Sequence, residues 1–334
     1  MTTVQNSVAD NPVILEVNDL RTYFFNRTST VKAVDGISFN LRQGETLGIV
    51  GESGCGKTMT ALSLLRLVPK PAGRIVEGQI LLNGEDLLLK TEDEMRQVRG
   101  RQLSMILQDP QTSLNPVFTI GNQLKEALGM ARKESSTGML RRAVEALRNV
   151  NVAAPERRLD DYPHQMSGGM KQRVVGAIAM SCEPGLIIAD EPTTALDVTI
   201  QLQYLRLLKD IQLNTGLSII FITHDFGVVA RMCDRVAVMY AGRIVEQGSV
   251  RELFNSPSHP YTQALIASVP KLEERVDRLF SIEGQPPLLS NLPVGCRFES
   301  RCSFAKERCL AEYPPSFTVE AEHTAACWKM DPSW

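Results

Sequence analysis

Three features of the sequence predict an α/β fold with a mainly parallel sheet. Short apolar runs, typical of buried strands, alternate with helical patterns along most of the chain. Hydrophobic residues make up 43% of the 334 residues, which is enough for a large core and excludes disorder over the whole length. A glycine-rich turn also joins one apolar run directly to a helical pattern, as expected between a buried strand and a helix.

The individual elements follow from hydrophobic periodicity. Apolar residues alternate from Val13 to Val17 and again over 37–41, which predicts two half-buried strands. The apolar run 46–50 predicts a buried strand, and helical spacing predicts a helix over 57–67 that is stopped by Pro69. Later in the chain the same criteria predict a helical region at 120–150, strands at 186–189 and 218–223, a helix at about 198–213 and a hairpin over 235–247.

Shifts in composition divide the chain into three parts. The polar segment 1–12 is predicted to be a flexible N-terminus, and residues 13–255 form the predicted α/β domain. A Ser-Pro-Ser-His-Pro break then begins a stretch that is rich in proline and cysteine and less periodic. Residues 256–334 are therefore predicted to be an accessory C-terminal region.

Charge and cysteine content exclude several classes of protein. The 36 Lys and Arg residues against 38 Asp and Glu give a net charge of −2, which argues against a nucleic-acid-binding protein. The chain lacks an apolar run of about 18 residues, which a membrane span needs, and its start does not fit a secretory signal. We therefore expect a protein of the cytoplasm, where seven cysteines, an odd number, do not indicate a disulfide framework.

A phosphate-binding loop is predicted between the strand at 46–50 and the following helix. Its residues fit G-x-x-x-x-G-K-[ST] at every fixed position. In such a loop, glycines let backbone N–H groups cradle phosphate oxygens, the lysine faces the β and γ phosphates, and the hydroxyl is a ligand for Mg²⁺. The candidate nucleotide-binding residues are Gly51, Glu52, Ser53, Gly54, Cys55, Gly56, Lys57 and Thr58.

Two carboxylates end the predicted strand at 186–189. Asp190 is suited to Mg²⁺ ligation and Glu191 can reach an attacking water molecule, although strand ends that meet solvent often carry such pairs. The pair gains weight from a glycine-rich sequence just upstream, where a hydroxyl and backbone N–H groups at the head of a helix form a second anion site. That sequence is Ser167, Gly168, Gly169, Met170, Lys171 and Gln172.

With these motifs the sequence resembles the ATP-binding cassette (ABC) ATPases over residues 13–250. The resemblance implies a P-loop NTPase core with an antiparallel β subdomain and a helical subdomain at about 110–180. It implies ATP and Mg²⁺ as ligands, and ATP hydrolysis coupled to transport as the activity. It also implies that the motif starting at Ser167 is the family signature, which contacts the γ-phosphate held by a partner subunit.

The resemblance assigns further roles to single residues. Gln108 looks like the family's Q-loop glutamine, which reaches Mg²⁺ and the attacking water, and His224 looks like the switch histidine that contacts the γ-phosphate. Asp197 resembles the D-loop aspartate at the dimer interface. Phe24 lies where the family stacks an aromatic ring on adenine, with Tyr23 as the neighbouring alternative.

The C-terminal part narrows the resemblance to ATPase subunits of oligopeptide and dipeptide importers. The run 257–265 and the Gly-Cys-Arg-Phe sequence from Gly295 carry this likeness. It implies a peripheral protein at the cytoplasmic face of the membrane. The implied partners are a second ATPase subunit, two integral membrane permeases and an extracytoplasmic solute-binding protein. Peptides are the implied cargo, with nickel or oligosaccharides as alternatives.

The sequence disfavours three alternatives to a transport ATPase. An ABC ATPase of DNA repair would carry a long coiled coil between Thr58 and Ser167, and this interval has no sustained heptads. An ABC ATPase of translation carries two cassettes on one chain, whereas this chain has one. A non-catalytic subunit is disfavoured because Glu191 and His224 are both present.

Four of the seven cysteines crowd into the last part of the chain and predict a metal site. Their spacing is C-x5-C-x6-C-x17-C, formed by Cys296, Cys302, Cys309 and Cys327. Four thiolates satisfy zinc, but structural zinc sites use pairs two to four residues apart, and wider loops suit an iron–sulfur cubane. The resemblance points the same way, since some importer ATPases with this tail carry a [4Fe–4S] cluster. We expect that cluster, with Zn²⁺ as the alternative.

Overall fold

The computed structural model describes residues 11–131, 135–269 and 281–334. The predicted flexible N-terminus, apart from Asn11 and Pro12, lies outside the described residues. The chain divides into two compact units. Among the described residues, the first unit comprises Asn11, Pro12, Arg42–Glu45 and Leu89–Phe221, and the second lies within Val13–Leu41, Thr46–Leu88 and Ile222–Trp334.

The second unit contains the phosphate-binding loop and the C-terminal region. Its described strands are β1 (Val13–Phe25), β2 (Thr30–Arg42), β3 (Thr46–Val50), β4 (Gly73–Leu82), β5 (Glu85–Asp86), β9 (Arg235–Tyr240), β10 (Arg243–Ser249), β11 (Phe317–Glu320) and β12 (His323–Ala325). Its described helices are α1 (Lys57–Leu64), α9 (Phe226–Met232), α10 (Val250–Asn255), α11 (Pro260–Ala267) and α12 (Glu307–Ala311).

Two sheets organise the second unit. Strands β2, β1, β4 and β5 form an antiparallel sheet in that order, which agrees with the predicted antiparallel β subdomain. The other sheet has the order β11-β12-β10-β9-β3, in which β3 and β9 are parallel. Strands of the C-terminal region thus extend the sheet that carries the phosphate-binding loop.

The first unit is largely helical, with a few strands. Its helices are α2 (Glu92–Val98), α3 (Pro110–Ser113), α4 (Ile120–Ala131), α5 (Ser136–Asn149), α6 (Pro155–Arg158), α7 (Gly168–Met180) and α8 (Val198–Thr215). Its strands are β6 (Leu103–Ile106), β7 (Leu186–Asp190) and most of β8 (Ser218–Thr223), in the order β8-β7-β6. Strands β6 and β7 are parallel, and their paired residues are apolar except for Ser104, so the predicted α/β fold with parallel strands is confirmed.

The helix that follows the phosphate-binding loop is shorter than predicted. Periodicity predicts a helix over 57–67, but α1 ends at Leu64. Arg66 has a left-handed backbone with φ 53, and the Leu67 N–H donates to the Leu62 carbonyl at 2.8 Å. This bond pattern ends a helix two residues before the left-handed residue. The left-handed backbone at Arg66, and not Pro69, therefore ends α1.

The predicted helical region at 120–150 contains two helices, α4 and α5. The second begins after Ser135, whose side-chain oxygen accepts the Gly138 N–H at 3.2 Å and so caps the helix. Residues 132–134 lie outside the described part of the chain. Among the described helices, none is both long and apolar enough to cross a bilayer.

A buried carboxylate on β10 holds the C-terminal region against the rest of the second unit. Glu246 accepts hydrogen bonds from the backbone N–H groups of Ser258 and His259, at 2.7 and 2.9 Å. Its side chain also meets the Nε2 atom of His323 at 2.7 Å, and both side chains are almost fully buried. A buried carboxylate requires several partners, and these three draw two distant segments of the C-terminal region onto one strand.

Candidate functional site

The phosphate-binding loop runs from Gly51 to the start of α1 and depends on glycine for two reasons. Gly54 and Gly56 have positive φ values of 79 and 112, which residues with a Cβ rarely adopt. At Gly56 a Cβ would lie 2.2 Å from the carbonyl oxygen of Ala33, and at Gly51 it would lie 2.1 Å from that of Met239. The loop is therefore pressed against the backbone of β2 on one side and β9 on the other.

Lys57 is held inside this loop by the loop's own carbonyl groups. Its Nζ atom donates to the carbonyl oxygens of Gly51 and Glu52 at 2.7 and 3.1 Å. The side chain is buried, whereas Thr58, the next residue, is exposed and so is Ser53 on the other side of the loop. A buried lysine at the start of a helix, beside an exposed hydroxyl, is the arrangement needed to hold phosphate and Mg²⁺.

Two other loop residues, Cys55 and Glu52, are buried or partly buried. Cys55 is buried, and burial raises the pKa of its thiol to about 11, so it is protonated and a poor nucleophile at neutral pH. The backbone N–H of Glu52 donates to the hydroxyl of Tyr261 at 2.9 Å, and its carboxylate pairs with Arg301. Both partners of Glu52 belong to the C-terminal region.

Glu191 is held in place by two donors within the first unit. The amide Nε2 of Gln108 donates to its Oε2 at 3.0 Å, and the hydroxyl of Thr194 donates to the same oxygen at 3.1 Å. The backbone φ of Glu191 is 44, which is unusual for a residue with a side chain. Glu191 directly follows Asp190, the buried last residue of β7. Strained backbone that is over-determined by hydrogen bonds is typical of catalytic positions.

The predicted signature residues form the N-terminus of α7, which lies against α8. Ser167 caps α7 by accepting the Met170 N–H at 3.3 Å, and Asp197 caps α8 through the N–H groups of Thr199 and Ile200. A Cβ at Gly169 would lie 2.8 Å from the side chain of Ile200, so glycine permits this close packing. The signature and the predicted D-loop are thus neighbours.

The switch candidate His224 is exposed at the carboxyl end of β8. The next residue, Asp225, caps α9 by accepting N–H bonds from Gly227 and Val228 at 2.7 and 3.3 Å. The histidine therefore lies between a buried strand and a capped helix. Ligands bind at the carboxyl ends of strands in α/β folds, and His224 lies at the carboxyl end of β8.

Phe24 and Tyr23, the two candidates for adenine stacking, differ in their contacts. The hydroxyl of Tyr23 donates to the carboxylate of Asp35, and burial together with this bond raises the pKa of Tyr23 to about 12. Phe24 pairs across the sheet with Gly73, where a Cβ would lie 2.8 Å from the ring. Tyr23 has a structural partner, and the half-buried Phe24 ring remains the candidate for stacking.

The four C-terminal cysteines line one small cavity in the second unit. The remaining lining is largely aromatic and includes Phe298, Phe304, Trp328 and Trp334. Burial and the neighbouring thiols raise the pKa of Cys296 to about 12 and that of Cys327 to about 11. Among the described residues, however, no group of three or more His, Cys, Asp or Glu side chains is arranged to hold a metal ion.

Sequence reasoning missed several residues that contact the predicted site. Thr194 holds Glu191, and its position three residues after the glutamate, in the turn that follows β7, is the only local signal for it. Tyr261 lies in a run that carried the resemblance to importer subunits, but nothing there indicated a contact with the loop. Arg301 has no sequence signal, because its partner lies 249 residues away.

Two family models match this chain. The model for "ABC transporter" matches residues 34–194, which contain the phosphate-binding loop, the signature and Glu191. The model for "Oligopeptide/dipeptide transporter, C-terminal region" matches residues 245–309, which contain Tyr261 and three of the four clustered cysteines.

Curated relatives match along almost the whole chain. A protein of Sinorhizobium fredii named "Probable peptide ABC transporter ATP-binding protein" is 51% identical, and the match covers 96% of both chains. Two Bacillus subtilis proteins, a dipeptide and an oligopeptide transport ATP-binding protein, are 48% and 47% identical, and the matches cover 95% and 94% of this chain and 95% and 96% of theirs.

A solved ATP-binding cassette has a similar fold. It is a dimer in a post-hydrolysis state with ADP and phosphate bound, and it is 25% identical to this chain with a TM-score of 0.63. The match covers 71% of this chain and 99% of that one.

The close backbone packing of the loop makes a prediction for Gly56. We expect Gly56→Ala to abolish ATP binding, because the new Cβ would lie 2.2 Å from the Ala33 carbonyl and displace the loop. Gly84→Ala is the matched control, since Gly84 has a similar φ of 81 but nothing within 4 Å of a Cβ. The control should cost about 1 kcal/mol of folding stability and leave ATP binding unchanged.

The measurements are ATP affinity by equilibrium binding and the free energy of unfolding by denaturant titration. Equal loss of affinity in both variants would contradict the prediction, because Gly84→Ala creates no steric contact and lies outside the loop.

Proposed function

This chain belongs to the ABC transporter family, and on that premise we propose that it is the ATP-hydrolysing subunit of a membrane importer for dipeptides and oligopeptides. The cargo is supported by the names of the curated relatives and by the match of residues 245–309 to the C-terminal region of oligopeptide and dipeptide transporters. The chain itself does not need to touch the peptide.

The observation that carries the catalytic part of the proposal is the carboxylate of Glu191. It follows a buried strand, its backbone is strained, and Gln108 and Thr194 hold one of its oxygens. A fixed carboxylate can orient a water molecule and accept a proton from it as the water attacks phosphorus. Gln108, which holds Glu191, would turn toward the water or the metal when nucleotide binds.

The other residues of the site have roles in binding and charge stabilisation. Lys57 and the backbone of the phosphate-binding loop would hold the β and γ phosphates, His224 would contact the γ-phosphate, and Phe24 would stack on adenine. Thr58, Gln108 and Asp190 offer the oxygen ligands that Mg²⁺ prefers. When bound, Mg²⁺ neutralises charge that develops on the phosphate oxygens.

A second ATPase subunit would complete each ATP site. Ser167 and the N-terminus of α7 form an anion site built like that of the phosphate-binding loop, with capped N–H groups and two glycines. We propose that these groups bind the γ-phosphate held by the partner's loop. The rest of the complex would be two membrane permeases and an extracytoplasmic solute-binding protein, and this chain would lie at the cytoplasmic face of the membrane.

The functional division of the chain follows from these roles. Residues 13–255 are proposed to be the ATPase domain, with helices between about 110 and 180 forming its helical subdomain. Residues 256–334 are proposed to be an accessory region, supported by their separate family match.

We also propose a [4Fe–4S] cluster in the accessory region. Its support is the shared cavity of Cys296, Cys302, Cys309 and Cys327, four thiols being the usual ligand set of a cubane. The raised pKa values of Cys296 and Cys327 mean that both thiols must lose protons on metal binding, so loading should weaken as pH falls. When bound, the cluster would cross-link the segments that carry the four cysteines.

The role of Glu191 predicts the behaviour of Glu191→Gln. In the reconstituted importer this variant should bind ATP normally and hydrolyse it about 10²–10⁴ times more slowly, because the base is lost but the binding groups remain. Glu183→Gln is the matched control, since Glu183 is an exposed carboxylate of the same unit that pairs with Arg142. It should leave hydrolysis unchanged.

The same assay, run in proteoliposomes with the solute-binding protein, tests the cargo. Dipeptides or oligopeptides should stimulate ATP hydrolysis by the wild-type complex. Stimulation by nickel or an oligosaccharide instead would contradict the proposed cargo, and near-normal hydrolysis by Glu191→Gln would contradict the proposed base.

The proposed sharing of sites between subunits predicts different effects for Lys57 and Ser167. Lys57→Ala should weaken ATP binding at the site of this chain. Ser167→Ala should instead slow hydrolysis about a hundredfold at the site built on the partner's loop, because it removes a donor to the transferring phosphoryl group. Complexes in which only one subunit has a competent loop separate the two sites, and loss of activity from Ser167→Ala at this chain's own loop would refute the arrangement.

The proposed cluster predicts the metal content of purified protein. Protein prepared without oxygen should be brown and contain about four irons per chain. Cys302→Ser should lower the iron content, whereas Cys182→Ser, a change outside the accessory region, should not. Colourless protein with one zinc per chain would contradict the cluster and indicate a zinc site instead. Unchanged metal content in Cys302→Ser would contradict the proposed site itself.

A further inference from the structure

We propose that Arg301 is a positioning residue of the ATP site, which fixes the phosphate-binding loop from the C-terminal region and neutralises the carboxylate of Glu52. The inference rests on the proposed function only in that the loop binds ATP. It adds a role for the C-terminal region that needs no metal, since every contact that supports it is made by side chains and backbone of this chain.

The contact between Arg301 and Glu52 is a two-pronged ion pair. Arg301 donates from Nη1 to Oε2 of Glu52 at 2.8 Å and from Nη2 to Oε1 at 3.0 Å. The arginine side chain is 4% exposed and the glutamate side chain 25%. A bidentate arginine–carboxylate pair shielded from water fixes the orientation of both groups, which a surface ion pair does not.

Every N–H group of the Arg301 guanidinium has a hydrogen-bond acceptor. Besides the two bonds to Glu52, it donates from Nη1 to the Tyr240 hydroxyl at 3.2 Å and from Nη2 to the Ile282 carbonyl at 3.3 Å. Its Nε donates to the Glu283 carbonyl at 2.9 Å. A guanidinium has five N–H donors in a fixed fork, so this set of acceptors selects arginine over lysine, which has three.

A second contact from the same region holds the backbone of Glu52. Its N–H donates to the hydroxyl of Tyr261 at 2.9 Å, and Tyr261 is fully buried. The rings of Tyr240, Tyr261 and Phe298 pack together with centroids 4.5–5.3 Å apart. Arg301 and Tyr261 therefore act on Glu52 from one rigid aromatic cluster.

Glu52 connects the C-terminal region to Lys57. The carbonyl oxygen of Glu52 accepts a hydrogen bond from the Lys57 Nζ at 3.1 Å, so the residue that binds the C-terminal region also helps to place the phosphate-binding lysine. Without Arg301, a partly buried carboxylate next to the triphosphate would keep its full charge and repel the ligand.

The test uses the full-length chain and a fluorescent ATP analogue. Arg301→Ala should raise the Kd for the analogue about tenfold, as expected for the loss of a charged hydrogen-bond pair. Adding Glu52→Gln to Arg301→Ala should recover part of the affinity, because the uncompensated charge is then gone. A merely structural role of Arg301 would not produce this recovery.

Two further variants control for folding and for general damage to the C-terminal region. Arg308→Ala removes another ion-paired arginine of that region, which contacts Glu312 and Asp331, and should leave the Kd unchanged. Should Arg301→Ala fail to fold, Arg301→Lys carries the test, with a Kd about threefold above the wild type because it keeps the charge but loses donors.

Each other outcome overturns the inference. Wild-type affinity in Arg301→Ala, or in Arg301→Lys where that variant carries the test, would show that the loop does not depend on Arg301. Equal loss in Arg308→Ala, or no recovery with Glu52→Gln, would show an effect of the whole region and not of this pair. A wild-type chain that does not bind the analogue would overturn both the proposed function and this inference, whereas the other results affect the inference alone.

Discussion

The close approach of the phosphate-binding loop to the backbone of its neighbours is the constraint on which the second unit depends. At Gly51 and Gly56 a single Cβ would meet carbonyl oxygens of β9 and β2 at little more than 2 Å. The Gly242 N–H, in the turn between β9 and β10, donates to the Cys55 carbonyl at 2.8 Å. The loop is thus shaped by backbone on three sides, and this leaves its N–H groups and Lys57 in a fixed arrangement for phosphate.

In the first unit the corresponding constraint is the strained backbone at Glu191. A residue with a side chain at φ 44 costs about 1–2 kcal/mol, so it persists only where neighbours hold it. Gln108 and Thr194 do so through one carboxylate oxygen. Because Gln108 comes from a loop after β6, a movement of that loop would change the orientation of Glu191. The orientation of the Glu191 carboxylate is thus coupled to the conformation of that loop.

The C-terminal region is an integral part of the second unit's core. Tyr261 and Phe298 belong to the same apolar cluster as Val50, Val238 and Tyr240, from the strands that flank the phosphate-binding loop. A further link joins Arg297 to the buried Asp35, which also pairs with Arg243 and accepts a hydrogen bond from the hydroxyl of Tyr23, beside the adenine candidate Phe24. Two arginines of one short segment therefore support the phosphate-binding loop and the strand that carries Phe24. This segment lies between Cys296 and Cys302 in the sequence.

The sequence by itself determined the features that depend on local pattern. Apolar runs located β3, β7 and β8. Fixed spacing predicts the phosphate-binding loop, the signature and Glu191, because each is a short segment whose chemistry requires given residue types at given offsets. Local pattern was less reliable at the end of α1, where a left-handed Arg66 stops the helix early.

Only the tertiary structure decided which distant residues support the site. Arg301 and Tyr261 reach Glu52 across more than two hundred positions, and Glu246 and His323 meet across 77. Such pairs leave no periodic trace, since a single long-range contact constrains one residue on each side and not the spacing of its neighbours. The shared cavity of the four cysteines is intermediate: their crowding was visible in the sequence, but their convergence on one aromatic-lined cavity required the fold.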